Sequence, residues 1–518
     1  MKTMNTKMAE PAIEASSGAS ISNFGGNIKF NARYSYAPRT EEEALEILDR
    51  HSSGKVRVAG ARHSWSDAAA SEDVLLDLRH LNQVDMTNDP DGKVTVTAGG
   101  GCTIQRLLRV LHQKSDATLP TLGAIKKQTI AGAISTGTHG SGNASLSHYM
   151  DEVRVAAYDP HSGRARIYVW DGGKELRGAR CAVGCMGVIL SVKFHGVPKY
   201  YVEEAVVQQD SLEEVVAGQA HYPLQQFVLI PYRWTYFAYQ RRTIEAKTGS
   251  WYALAVYWAR ANKLLGVDFS LHLLLKLMLM LASSTRGSSR LIGWFYRAVL
   301  PVLIGWQKRK VVDFSEEALT MRHDLFRHLE MEVFVPLDRL PGAVSLVRSV
   351  MPVFAGFSDD IPGDIAEQLS SIDKLDELTR LKGDYTHHYP IFFRYVLQDD
   401  TLISMTSGPG GSYYSISFFT YLAPESREHF YRFARFIAQC LTRLFQARLH
   451  WGKYYPLTFS EIKHQSPRLG EFRELCNQVD PRGVFQNDYT RRVLGFDHIG
   501  DKAAPASDPE KWDSQLRA

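Results

Sequence analysis

Two loops of small residues and a few isolated polar groups are where this sequence could do chemistry. The stretch TLGAIKKQTIAGAISTGTHGSG, Thr121 to Gly142, places Gly132, Gly137 and Gly140 among Ala131, Ala133, Ser135, Thr136 and Thr138. Side chains this small let backbone N–H groups approach a ligand closely, and a run of amide dipoles neutralises a pyrophosphate without any lysine. A glycine-rich turn with no ligand fits the same composition. A second loop, VRVAGARHSWSD, runs from a strand into Gly60, Ala61, Arg62, His63, Ser64 and Trp65. Its imidazole is a nucleophile near neutral pH, or simply a loop cap. Two further glycine-rich readings fail. VTVTAGGGCTIQRLL imitates a Rossmann opening with Gly99 and Gly101, but Ile104 stands at the third glycine position. GAISTGTH has P-loop spacing with Thr138 where the phosphate-gripping lysine belongs, which argues against ATP chemistry.

These loops need elements to hold them. Thr40 reads as the N-cap of a helix whose first turn holds Glu41, Glu42 and Glu43. KVRVAG, VLLDLRHL and KVTVTAGG read as strands, and TIQRLLRVLHQ has helical spacing. Strands resume at DEVRVAAYD, RARIYVWD and MGVILSVKFHGVP, and this alternation predicts an α/β region. From about Tyr201 the texture changes, with YYVEEAVV, QQFVLIPY and an aromatic-rich continuation that suits a second domain. FRELCNQVD reads as the final helix.

With 518 residues, 44% hydrophobic and 22% charged, the chain is an ordinary globular composition of two domains or more. A net charge of +4 is too slight to announce a nucleic-acid partner. Five sparse cysteines suit a reducing compartment; Cys181 and Cys185 lack the second Cys or His pair of a zinc site, so no metal is expected. The first 26 residues lack the apolar run of a secretory signal and read as a flexible extension. Between Arg260 and Lys310, LHLLLKLMLMLA and LIGWFYRAVLPVLIGW are too short and interrupted to span a bilayer of roughly 20 apolar residues. They read as helices packed on the second domain of a cytoplasmic protein or, alternatively, as an interfacial pair that would give it peripheral membrane contact through 260–310.

GARHSWSD together with TIAGAISTGTHGSG resembles the vanillyl-alcohol-oxidase flavoprotein superfamily, in the branch of sugar-1,4-lactone oxidases (gulonolactone and arabinonolactone oxidases) and bacterial alditol oxidases. The likeness continues through MEVFVPLDRL, FFRYVLQDD, HWGKYYPL and VDPRGVFQNDY, covering most of Asn31 to Gly495 in order. It implies an α/β (α+β) fold: a PCMH-type FAD-binding domain over 27–198, a mixed-sheet cap or substrate domain over 199–457, a segment 458–500 returning to the first domain, and a tail from 501. It implies FAD joined covalently to His63. The residues expected around the cofactor are Gly60, Ala61, Arg62, Ser64, Trp65, Gly123, Gly132, Ser135, Thr136, Gly137, Thr138, His139 and Gly140, with Val188 and Ile189 on a strand. By the same resemblance Lys453 and Arg394 stabilise the reacting oxygen as catalytic residues. Phe392, Glu332 and His450 line the substrate pocket, and Glu330 matches the pattern too. A surface lysine or exposed strand carboxylates would be the plain readings of these residues without the resemblance.

The activity so implied is oxidation of an alcohol carbon in a sugar lactone or polyol, of D-arabinono-1,4-lactone oxidase type, with molecular oxygen reduced to hydrogen peroxide. Gly123 aligns where a glycine leaves oxygen room to reach the flavin and an alanine shields it. One departure matters. The family pattern Glu-x-Arg reads Phe392-Phe393-Arg394 here. A phenyl ring accepts no hydrogen bond, and burying a hydroxyl against it costs on the order of 1–3 kcal/mol. A larger, less polar alcohol is therefore the alternative substrate, and a non-enzymatic membrane-surface protein is the rival outside the family.

Overall fold

The computed structural model describes residues 18, 20–244, 273–274, 276–278, 288–305, 310–321 and 327–498. An N-terminal hairpin pairs β1 (Ser20–Ser22) with β2 (Lys29–Asn31). Residues 20–26, read from composition as part of a flexible extension, are instead tied down. Phe24 N–H donates to the Arg62 carbonyl at 2.9 Å, and the buried Arg427 guanidinium donates to the Gly25 carbonyl at 2.7 Å. Poor core-forming composition did not reveal these long-range backbone bonds.

Next come β3 (Tyr34–Tyr36), β4 (Val56–Val58) and β5 (Val74–Leu76), a parallel sheet in the order β3-β5-β4. Helix α1 (Glu41–Arg50) starts where the Thr40 hydroxyl accepts from Glu43 N–H at 3.2 Å, and buries Ala44, Ile47 and Leu48 along one face. A second sheet is antiparallel: β6 (Val84–Asn88), β7 (Val94–Gly99), β8 (Ala117–Thr118), β9 (Met150–Tyr158), β10 (Ala165–Trp170) and β11 (Val188–Pro198), with path β10-β9-β11-β7-β6 and β8 on β11. Helix α2 (Ile104–Lys114) buries Ile104, Leu107, Leu108 and Leu111, and helix α3 (Ile130–Ser135) is capped by Thr129. The short polar β6, VDMTN, had no hydrophobic signal to betray it.

The cap is one eight-stranded sheet: β12 (Tyr201–Gln209), β13 (Gln226–Leu229), β14 (Tyr236–Ile244), β15 (Val311–Phe314), β16 (Leu329–Pro336), β17 (Ile391–Val396), β18 (Tyr413–Thr420) and β19 (Arg448–Leu449). Its order is β15-β12-β14-β13-β17-β18-β16-β19, and every pairing is antiparallel rather than mixed. Helices Leu340–Phe354 and Glu428–Phe445 cover one face, with the Phe354 ring against those of Phe433 and Phe436. The other face looks toward the first domain. After β19 the chain returns to that domain, where Val56 N–H donates to the Val484 carbonyl at 2.9 Å. FRELCNQVD lies in the helix Leu469–Val479 but is not last. Asn487 caps a further helix, Asp488–Leu494, and Gly495 ends it with φ 70°.

All five cysteines are buried free thiols. Most of 260–310 lies outside the described residues. Within it the helix Ser288–Trp294 runs on to Gly305, burying Ile292, Phe295, Tyr296 and Leu300 while Trp294 stays 60% exposed. Among the described residues no helix is long and apolar enough to cross a membrane.

Candidate functional site

Between the first domain and the open face of the cap lies a cavity of about 600 Å3, within the range of roughly 300–1,000 Å3 that encloses ligands. One end is backbone. The turn after β4 brings Gly60, Ala61, Arg62, His63 and Ser64 to the wall, with Arg62 at φ 59°. Among the described residues, the N–H groups of Gly60, Ala61 and Arg62 donate to no protein acceptor. Three adjacent amides without partners are what an anionic group needs. The α3 region offers less than its composition suggests. Ala131, Gly132, Ala133, Gly137 and Thr138 spend their N–H groups on Gly100, Thr129, Ile134 and Ala133. It contributes a close surface instead, through Ala131, Gly132, Ser135, Thr136, Thr138 and His139.

The glycine cluster after β7, set aside as a Rossmann imitation, belongs to this wall: Gly100, Gly101, Thr103 and Arg106 line it. A Cβ on Gly101 would sit 1.7 Å from the Leu78 carbonyl oxygen, so only glycine fits there. Beneath the turn, the buried Arg57 guanidinium donates to the carbonyls of Ala68, Phe485 and, at 2.7 Å, Val183. It fastens the turn to the returning C-terminal segment. An arginine between two valines of a strand is the signal that sequence reading passed over.

The other end is charged. Period-two alternation puts Glu330 and Glu332 of β16 and Phe392 and Arg394 of β17 on the cavity face, while Phe393 turns away to stack on Phe227 at 4.6 Å. The segment 450–454 runs beside β16, with His450 N–H on the Glu332 carbonyl at 3.0 Å and Tyr454 N–H on the Glu330 carbonyl at 2.9 Å. That places Lys453 against Glu330 in a close ion pair, 3.9 Å from Glu332 and 4.5 Å over the Trp65 ring. Arg394 NH1 lies 3.6 Å and His139 Nε2 3.3 Å from Glu332 Oε1. Burial raises the Glu332 pKa, but the charges of His139 and Lys453 overcome it and hold the carboxyl well below its usual range. Burial keeps His450 neutral, well below the ordinary histidine value. The His63 loop and the Lys453 loop are bonded directly: Trp65 N–H donates to the Gly452 carbonyl at 2.8 Å, and Ser66 Oγ to the Trp451 carbonyl at 2.6 Å.

Joining the two ends is an aromatic wall. Phe392 stacks on Tyr389 at 5.9 Å and meets Phe419 at 5.6 Å; Tyr389 touches Tyr421 at 5.0 Å; His328 packs against Phe419 and Tyr421, each at 5.5 Å. Tyr389, Phe419, Tyr421 and His328 were missed from the sequence, since aromatic residues in a sheet read equally as core. His387 and His388 are buried behind this wall.

Eighteen of the expected residues line the cavity, and three do not. Gly137, at φ 75°, faces Met405; Gly140 sits against the Leu122 carbonyl; Val188 points to the opposite side of its strand from Ile189. His139, Glu332 and His450 lie with ligand atoms within 4.8 Å of one another, a spacing that suits a metal and that a search for close Cys or His pairs could not find. Two cations already face the one carboxylate of this trio, and they oppose a divalent ion.

Partnerless amides at one end, glycines that admit close approach, and a long cavity ending in compensated charges fit a flavin dinucleotide. The chain belongs to the FAD-linked oxidase superfamily that contains gulonolactone, arabinonolactone and alditol oxidases, and is an FAD-dependent oxidoreductase with the PCMH-type fold. The FAD binding domain family profile matches residues 32–161, and the D-arabinono-1,4-lactone oxidase profile matches 256–493. A long-chain alcohol oxidase of an uncultured marine euryarchaeote is 41% identical over 93% of this chain and 99% of its own. An alditol oxidase of a Streptomyces species is 24% identical over 92% of this chain and 99% of its own. The crystal structure of cholesterol oxidase from B. sterolicum superposes with TM-score 0.70 at 15% identity, over 95% of this chain and 100% of that one; it speaks to the fold alone.

Proposed function

We propose that this protein oxidises apolar primary alcohols with molecular oxygen, using FAD bonded covalently to His63. The observation that carries the reading is Phe392: a ring, packed in an aromatic wall, where a polyol enzyme needs an acceptor. An alkyl chain laid along Phe392, Tyr389 and Phe419 gains about 25 cal/mol per Å2 of apolar surface removed from water, whereas hydroxyls there would stay unpaired. The 41% relative, named for long-chain alcohols, supports the same reading.

The turn Gly60–Ser64 and the surface of α3 would hold the dinucleotide, with the three partnerless amides on its phosphates. When bound, the flavin accepts a hydride from the alcohol carbon and passes the electron pair to oxygen, yielding peroxide. Lys453 and Arg394 hold the alcohol oxygen at the charged end and favour its developing negative charge. Glu330 and the Trp65 ring fix the Lys453 ammonium. Gly123 lines the cavity and would leave oxygen room beside a bound flavin.

Peroxide release from purified holoenzyme, with dodecan-1-ol, gulono-1,4-lactone and sorbitol compared, tests this. The alkanol should be turned over fastest. The charged end and the matched D-arabinono-1,4-lactone oxidase profile support a second reading, a sugar lactone or polyol, and faster turnover of either sugar would establish it instead. Peripheral membrane contact is supported by Trp294 and Val302, exposed on a helix that also carries Arg290 and Arg297. Flotation with anionic vesicles tests it, and protein left entirely in the dense fraction would reject it.

A further inference from the structure

Two rings of the aromatic wall, Tyr389 and Tyr421, lie outside every strand ladder. The β16–β18 register ends at Leu329 and Thr420, and the β17–β18 register at Phe392 and Ser417. Pro390, which has no N–H, stands between Tyr389 and the start of β17 at Ile391. No strand therefore offers the Tyr421 N–H an acceptor, and the missing bond comes from a side chain. Nε2 of His388 accepts from Tyr421 N–H at 3.1 Å, with the Thr420 hydroxyl at 3.4 Å. An amide N–H only donates, so Nε2 carries the lone pair; Nδ1, on the other side of the ring, lies 3.4 Å from the Thr386 carbonyl. Burial pushes the pKa of this ring down to about 4, which keeps Nε2 an acceptor near neutral pH. The backbone of the same residue holds a third element: its carbonyl accepts from the hydroxyl of Tyr296, on the helix that runs on from Ser288–Trp294. His388 and Tyr296 are each at most 1% exposed, so water replaces neither bond.

We infer that His388 is the positioning residue that sets the tail-binding wall and, through it, the preference for long alkyl chains. This rests on the reading above that an alkyl tail lies along that wall. His388 does not itself line the cavity. Tyr389 follows it directly in the chain, Tyr421 is bonded to its ring, and both tyrosines line the cavity with their rings 5.0 Å apart. Phe392 and Phe419 lean on Tyr389 in turn, at 5.9 and 5.2 Å. One imidazole thus fixes the spacing of four rings that come from two segments of chain. Without its acceptor the Tyr421 N–H has no partner, and the segment must shift to find one. Dispersion contact falls away over fractions of an ångström, so a displaced ring loses the methylenes that lay against it. A short alkanol has little tail to lose, and a long one loses most. The groups at the charged end do not depend on this joint: Lys453 is held by Glu330 and the Trp65 ring, and Arg394 lies beside Glu332.

The experiment measures peroxide formation by the holoenzyme near neutral pH, from butan-1-ol to decan-1-ol, in the wild type, His388→Leu and His388→Gln. Leucine removes the acceptor, whereas glutamine carries an amide oxygen to the position of Nε2. Wild-type kcat/KM should climb about three- to fourfold per carbon. His388→Leu should keep its flavin and climb less than about twofold per carbon, with kcat/KM for butan-1-ol down by no more than about threefold. His388→Gln should recover the wild-type steepness. A His388→Leu series as steep as the wild type overturns the inference, even if activity drops alike at every length, since that is what a merely structural residue would give. A His388→Gln series as flat as that of His388→Leu overturns it too. If His388→Leu cannot be purified with flavin, Tyr296→Phe takes its place, removing only the hydroxyl on the His388 carbonyl. Its series should be flatter than the wild type, and unchanged steepness overturns the inference equally. A wild type that shows no climb overturns the alkyl-tail reading and this inference together; a steep wild type matched by an equally steep variant overturns the inference alone.

Discussion

The ring of Phe24 stands 5.3 Å from the ring of His63, tilted by 38°, and reaches it from the hairpin of β1 and β2, residues 20–31. The same ring meets His328 edge-on at 5.5 Å. His63 is only half-buried, and this ring contact restrains it. Phe24→Ala should bind FAD yet attach it incompletely. After acid precipitation, the pellet of the variant should retain less than half of the yellow colour that the wild type retains, with His63→Ala setting zero. Equal retention would show that Phe24 has no part in attachment.

Phe392→Gln should shift specificity. The amide offers a polyol the acceptor that phenyl denies, and removes a ring from the Tyr389–Phe419 contact. Loss of apolar contact and gain of a hydrogen bond are each worth about 1–3 kcal/mol. The ratio of kcat/KM for decan-1-ol over sorbitol should fall at least about tenfold. An unchanged ratio would place the tail elsewhere.

Gly123 carries a less obvious constraint. A Cβ there would approach Thr138 Cγ2 to 2.6 Å, and Thr138 is itself bonded to Gln128 through Oγ1. Gly123→Ala alone therefore displaces a residue of the cofactor wall. Combined with Thr138→Ser, which deletes the clashing methyl, it should slow reoxidation by oxygen by about tenfold, near 1.4 kcal/mol on that barrier, and leave anaerobic reduction unchanged. Stopped-flow mixing with oxygenated buffer separates the two half-reactions.

Much of the first domain was legible because its signals are local. The Thr40 cap, the apolar stripe of α2 and the strand before Gly60 each lie within a dozen residues. The charged end was legible only through resemblance, since Glu330 and Lys453 meet across 123 residues of chain and no spacing rule joins them. Small residues in α3 correctly marked a close surface, but composition says nothing about which amides are already engaged. The partnerless ones proved to be in the other loop, at Gly60, Ala61 and Arg62. The hairpin carrying Phe24 was misread for a related reason: its hold on the domain is backbone and ring contact, not hydrophobic pattern.

Acid should weaken the holoenzyme early. Burial pushes the His388 pKa down to about 4, and burial with the neighbouring His388 holds His387 well below its ordinary value. In the unfolded chain both return to about 6.5, so between that pH and about 4 the unfolded state binds more protons and stability falls as pH drops. The depressed Glu332 adds a loss only below the ordinary carboxylate range. The melting temperature should decline steadily from pH 6.5 to 4.5 or so, and less steeply in His388→Gln, whose amide oxygen can still accept from Tyr421 N–H. A melting temperature that stays level or rises over that interval would contradict this.

The account stands or falls on an alkyl tail lying along the aromatic wall, and chain length reads that directly. Each buried methylene contributes about 0.8 kcal/mol, close to fourfold in kcat/KM. From butan-1-ol to decan-1-ol, kcat/KM for peroxide formation should climb about three- to fourfold per carbon until the wall is covered. A flat or falling series, with a sugar lactone faster than any alkanol, would contradict it.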